Sequence, residues 1–197
     1  MKRKPKSRTT KRPASRAKKA AAKNAFRTVL TAKQIQKRVL GLAKQINHDY
    51  AGKTVHVVGV LENCFLFMAD LVRALSMPAI CHFVKAEIHD SAESGHKLRE
   101  IMYTPRVEAA GKNILLVDGI LQSGLTLDHL YRYFLGQNAE SVRTATLIEK
   151  TDERKVDVPT DYVGFKIAKK FLVGYGLDFQ GKYRNLPYVA TPAKGSM

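Results

Sequence analysis

The stretch ILLVDGILQSGLTL, Ile114 to Leu127, begins as a short apolar run, crosses a loop from Gly119 to Gly124, and ends as the start of a helix. An apolar run of that length reads as a strand buried on both faces. The neighbouring segments repeat the pattern. Val55–Leu61 (VHVVGVL) reads as a buried strand and Phe65–Leu75 (FLFMADLVRAL) as a helix stopped before Pro78, with Phe65, Phe67 and Met68 in its core. Ile80–Ala86 is a second strand and Ile114–Val117 a third, followed by a helix over Leu125–Leu135. Val142–Ile148 and Tyr162–Ile167 supply further strands. This alternation predicts an α/β fold, a mostly parallel sheet with helices on both faces. Ligands in such sheets sit beyond the carboxyl ends of the strands, where Gly119–Gly124 lies.

Upstream, Thr31-Ala-Lys-Gln34 has the form of a capping box, so a helix starts there. Ile35, Val39, Leu42, Ala43 and Ile46 fall on one of its faces, and it ends near Tyr50, before Gly52. Ile88–Pro105 is polar, weakly periodic and contains Gly95; it is expected to be a long mobile loop, and loops of that length are functional or disordered. His89 and His96 within it show no metal-ligand spacing and read as surface residues. No internal repeat is present.

Charge divides the chain. The net charge is +17, from 34 Lys and Arg against 17 Asp and Glu. From Met1 to His48 there are 16 basic residues and no acid; the remainder holds 18 basic residues and all 17 acids. Residues 1–30 lack large apolar groups and cannot offset the entropy of ordering, so they are expected to form a disordered basic arm, with the domain over 31–197. Such an arm suits DNA or RNA phosphates through counterion release. It has no aromatic residue before Phe26 for base stacking, and no apolar face for a membrane. An organellar transit peptide or a solubility tail fits the same composition. Cys64 and Cys81 form no C-x-x-C pair, which argues for a reducing compartment and against disulfide or zinc roles. No apolar run reaches about 18 residues, and the N-terminus has no apolar signal-peptide core. A cytoplasmic, possibly nucleoid-associated location is the expectation.

Gln122-Ser123-Gly124-Leu125-Thr126 places small residues, two hydroxyls and open backbone amides at a helix N-terminus, which favours an anion. Taken alone, these residues fit a plain β-to-α turn with a Ser/Thr cap slightly better. The blocks around them shift the balance. VVGVLENCFLFMADLVRAL, ILLVDGILQSGLTL, SVRTATLIEK, VDVPTDYVGFKI and FLVGYGLDFQGKYRNLPY occur in the order seen in the hypoxanthine-guanine phosphoribosyltransferase family, which the chain resembles from Val55 to Tyr188. The resemblance implies a type I phosphoribosyltransferase fold: a mostly parallel core sheet, flanking helices and a small hood. It implies transfer of ribose 5-phosphate from phosphoribosyl pyrophosphate to a purine with Mg²⁺, and a homo-oligomer.

Carried over residue by residue, the resemblance gives Ser123, Gly124, Leu125 and Thr126 to the phosphate and Asp118 to the ribose. Lys150 matches the lysine that meets the purine's exocyclic oxygen, Phe165 the aromatic that stacks on the base, and Asp178 the acid beside the base that helps hold a metal. Glu62, Asn63 and Arg184 fall in the pyrophosphate region. Three departures concern chemistry. The family pattern V-E-D-I-x-D-T-G reads V-D-G-I-L-Q-S-G here, so Gly119 lacks a carboxylate and Gln122 stands at the catalytic aspartate. Loss of a general base costs about 10²–10⁴-fold. Glu62-Asn63 replaces a basic residue and glycine, and IHDSAESG lacks the Ser-Tyr pair that family members fold over the reacting centre.

The sequence therefore predicts a phosphoribosyltransferase-like protein that binds a purine nucleotide, phosphoribosyl pyrophosphate or another phosphate ligand. Transfer is expected to be weak or absent, Mg²⁺ being needed only if catalysis remains. The alternatives are an active purine salvage enzyme and a structural component of a nucleic-acid assembly.

Overall fold

In a computed structural model, residues 26–90, 97–104, 107–168 and 170–193 are described, with backbone alone at 86–90 and 97–104. Five parallel strands form the core of a six-stranded sheet: β2 (Val55–Leu61), β3 (Ala79–Asp90), β5 (Asn113–Leu121), β6 (Ser141–Glu149) and β7 (Tyr162–Lys166). With β4 (Lys97–Thr104) the order is β4-β3-β2-β5-β6-β7, and only β4 runs antiparallel to its neighbour. This is the mostly parallel sheet that the alternating pattern predicts.

Helices cover both faces. On one, α1 (Ala32–Asp49) turns Ile35, Val39, Leu42, Ala43 and Ile46 inward, and α2 (Phe65–Arg73) adds Phe67, Met68 and Leu71. They pack against Val55, Val57, Leu115, Val117, Ala145 and Leu147. On the other, α3 (Leu125–Gly136) packs Leu127, Leu130 and Phe134 against Val58, Val60, Ile114, Leu116 and Val142. Consecutive strand residues alternate between the faces, so each central strand is apolar throughout. The capping box at Thr31 is formed, with Thr31 Oγ1 accepting from the Gln34 amide and Gln34 Oε1 accepting from the Thr31 amide.

Three expectations change. Phe26–Leu30 is a strand, β1, not part of a disordered arm. It pairs antiparallel with β8 (Val189–Pro192), buries Leu30, and packs Phe26 against Tyr183 with ring centroids 4.6 Å apart. The domain thus begins at or before Phe26, and the call of an arm over 1–30 is tested only from that residue on; residues 1–25 lie outside the described ones. Second, Ile88–Pro105 is not a loop throughout. β3 continues to Asp90, and β4 returns beside it from Asp90↔Lys97 to Phe83↔Thr104. Cross-strand pairing holds a segment whose own pattern is weak. His89 falls in β3; His96, and with it the tip of this hairpin, lies outside the described residues. Third, Phe65 is 38% exposed at the start of α2, whereas Phe67 and Met68 are buried as expected. The β1–β8 ribbon and the irregular segment 170–188 make the hood, tied together by the bridge Val173↔Ala190. No helix among the described residues is long and apolar enough to cross a membrane.

Candidate functional site

β5 runs four residues further than its apolar run suggests, because parallel pairing with β6 continues through Asp118↔Thr146 to Leu121↔Glu149. Asp118 and Gly119 therefore ride on the strand end, and the open loop is only Gln122–Gly124. Gly124 is left-handed, at φ +81°, and an added Cβ would stand 3.2 Å from Val156, so glycine is required there on two counts. It caps α3: the Asp128 amide donates to the Gly124 carbonyl at 2.8 Å. First-turn amides such as those of Thr126 and Leu127 have no carbonyl to reach within a helix and are open to an anion. Ser123 turns its hydroxyl toward the Leu125 amide, 3.4 Å away, and its carbonyl accepts from the Lys155 amide at 3.0 Å.

Lys150 follows β6, and its backbone amide donates to the Leu121 carbonyl at 2.9 Å, which sets it beside this loop. It is no solvated surface lysine. Its side chain is 6% exposed and its Nζ lies 3.2 Å from Glu153 Oε1. Glu153 Oε2 in turn accepts from Gln122 Nε2 at 3.4 Å. Glu153 was not singled out from the sequence; the only local signal is the acidic pair Asp152-Glu153 in the turn just after Lys150.

Asp118 keeps part of its surface open, yet its carboxyl is desolvated. Burial pushes it up to about 7, against the opposing effect of hydrogen bonds from the Ile120 and Gly119 amides. Gly119 points the other way, toward the end of β2. A Cβ there would lie 2.3 Å from the Asn63 carbonyl oxygen, and one at Gly176 would lie 2.4 Å from that same oxygen. The Asn63 carbonyl thus occupies a gap that two glycines leave.

The structure brings the pyrophosphate-region residues together around one cation. Arg184 donates to Asn63 Oδ1 and to the Gly176 carbonyl, each at 2.7 Å, and its other nitrogen meets Glu62 Oε2 and Asp178 Oδ1, each at 2.9 Å. One guanidinium is enclosed by two carboxylates, so the cluster carries net negative charge. An incoming polyanion would have to displace these bonds, each charge-assisted contact being worth about 1.5–3 kcal/mol. Asp178 Oδ2 accepts from the Gly181 amide at 2.7 Å, so both of its oxygens are engaged.

That donor set fits Mg²⁺ poorly. The ion needs oxygen ligands in near-octahedral geometry. Asp178 is occupied by Arg184 and Gly181, Asp118 is shifted toward its neutral form, and Gly119 offers nothing. Among the described residues no three His, Cys, Asp or Glu side chains are grouped to hold a metal.

Phe165 does not present an open face. It pairs with Ile148 across β6 and β7 and packs partly against the core under α1. The exposed ring near Asp178 is Phe171, 44% exposed and edge-on to Phe179 at 5.4 Å. Phe171 stands in the quoted block FLVGYGLDF, but nothing in that block alone distinguishes it from Phe165. A cavity of about 580 Å³ between α1, α2 and Tyr175 is lined by Val39, Leu40, Leu66 and Pro187, and contains none of the site residues.

A model of the phosphoribosyl transferase domain matches residues 27–180. The hypoxanthine-guanine phosphoribosyltransferase of Dictyostelium discoideum is 39% identical over 165 residues, covering 82% of this chain and 92% of that protein. Among solved structures, a hypoxanthine-guanine phosphoribosyltransferase from Bacillus anthracis is 37% identical with a TM-score of 0.75, covering 86% of this chain and 98% of the other. A hypoxanthine phosphoribosyltransferase from Trypanosoma cruzi, a mutant in a ternary substrates complex, is 28% identical with a TM-score of 0.80, covering 87% and 97%.

Proposed function

Since the chain belongs to the hypoxanthine-guanine phosphoribosyltransferase family, with its type I phosphoribosyltransferase fold, we propose that it holds a purine nucleotide at the carboxyl ends of β5 and β6 and transfers phosphoribosyl groups weakly or not at all. The observation that carries this reading is the enclosure of Arg184 by Glu62, Asn63 and Asp178. The cation that would meet pyrophosphate is already paired inside the protein. Gln122 supplies no base at neutral pH, and Gly119 no second carboxylate for the ribose.

Binding keeps its parts. The first turn of α3 takes a phosphate through the amides after Ser123 and Gly124, including those of Leu125 and Thr126. Lys150 donates to an exocyclic oxygen, Asp118 meets a ribose hydroxyl, and Phe171 offers a ring face in place of Phe165. The chain before Phe26, with 11 Lys and Arg and no acid, binds nucleic-acid phosphates.

The test combines hypoxanthine or guanine with phosphoribosyl pyrophosphate and Mg²⁺, and in parallel titrates purine mononucleotides by calorimetry. Almost no nucleoside monophosphate should form, while mononucleotides bind. Robust turnover establishes the competing reading, an active salvage enzyme, which the names of the relatives favour.

A further inference from the structure

Gln122 is more than a missing aspartate. Its amide and the Lys150 ammonium are joined through one carboxylate: Lys150 Nζ is 3.2 Å from Glu153 Oε1, and Gln122 Nε2 donates to Glu153 Oε2 at 3.4 Å. Lys150 is nearly buried, at 6% of its side-chain surface, and Glu153 is three-quarters buried, at 26% exposure. A buried ammonium needs its anion, so Glu153 is fixed by Lys150. Its second oxygen then sets the orientation of Gln122, turning the NH₂ end of the amide toward the lysine. Each nitrogen keeps at least one further N–H for a ligand. The result is two hydrogen-bond donors held side by side at the strand ends, next to the anion-receptive start of α3.

We propose that this braced pair reads the N7 and O6 acceptors of a 6-oxopurine already substituted at N9, with Gln122 donating to N7 and Glu153 acting as the positioning residue. This rests on the nucleotide-binding reading above and names its ligand class. Guanine presents N7 and O6 as adjacent acceptors, whereas adenine presents an N6 amino donor beside N7 and would set donor against ammonium. In a free oxopurine base the imidazole proton moves between N7 and N9. Substitution at N9 removes that freedom and leaves N7 a pure acceptor. A carboxylate at position 122 would accept a proton from N7–H. A braced amide donor instead rewards the finished mononucleotide over the free base.

Calorimetric titration of the full chain with GMP, 7-deaza-GMP and AMP tests this, since the deaza analogue lacks only the N7 acceptor. The wild type is expected to bind 7-deaza-GMP about fivefold more weakly than GMP, the scale of one hydrogen bond, and AMP more weakly still. Gln122→Ala should bind GMP as weakly as the wild type binds 7-deaza-GMP and no longer separate the two. Glu153→Ala should shrink the same ratio, a readout that general loss of stability does not move. Equal wild-type affinity for GMP and 7-deaza-GMP overturns the inference and leaves nucleotide binding standing. Absence of GMP binding overturns both. The comparison of the two ligands on the wild type needs no variant to fold.

Discussion

A carboxyl group pressed out of water makes folding depend on pH, and Asp118 is such a group. Its folded-state value is raised to about 7, from an ordinary value near 4, because burial disfavours the charged form. The folded protein therefore holds more protons than the unfolded chain between those values. Its contribution to stability is complete below about pH 4 and is lost as pH rises through about 7. Asp118→Asn should abolish that decline, and melting temperatures across pH 4–8 for both proteins measure it; parallel curves refute the shift. Gly119 yields a second expectation. A side chain there meets the Asn63 carbonyl at 2.3 Å, backbone that cannot rotate away. Gly119→Ala should destabilise by about 1–3 kcal/mol, the usual cost of overpacking, read by denaturant titration.

Elements were legible in the sequence where their signals were local. Thr31 and Gln34 lie three residues apart and fixed the start of α1; its five apolar residues are all buried. β1 was not legible, because its partner β8 lies at the far end of the chain and FRTVL has no pattern of its own. β4 was missed for the same reason, its register being set by β3. Within the site, Lys150, Asp178 and Arg184 were reached through long matching blocks. Phe165 was chosen over Phe171 because both stand in such blocks, and only packing separates them. The role of Asn63 belongs to its carbonyl, which every residue carries, so no sequence signal exists. The ribbon leads to a prediction at this scale. Removing residues 1–25 should leave the melting temperature near that of the full chain. Removing 1–30 takes away β1 and the buried Leu30, and should lower it by on the order of 5–10 °C. Equal melting of the two truncations would show that the ribbon adds nothing.

The whole molecule is a nearly neutral domain with its excess charge at one end. If the residues before Phe26 engage nucleic acid, binding to random-sequence duplex should fall on the order of 10³-fold between 50 and 200 mM salt, as multiple phosphate contacts require. It should vanish when residues 1–25 are removed, whereas mononucleotide binding persists. Mobility shifts and calorimetry on the same two proteins separate these activities. A different coupling runs through the interior. One backbone oxygen, on Asn63, fills the space of the Cβ atoms absent from Gly119 and Gly176, and Arg184 clasps the same loop from the hood. Three segments distant in sequence thus meet like the wards of a lock. Giving position 119 a carboxylate by itself jams the oxygen; changing Glu62 by itself frees one side of Arg184 without making room. Each single step toward a working transferase is uphill in stability, so the path back runs through simultaneous change at the ends of β2 and β5, and a population acquiring one substitution at a time meets a one-way door.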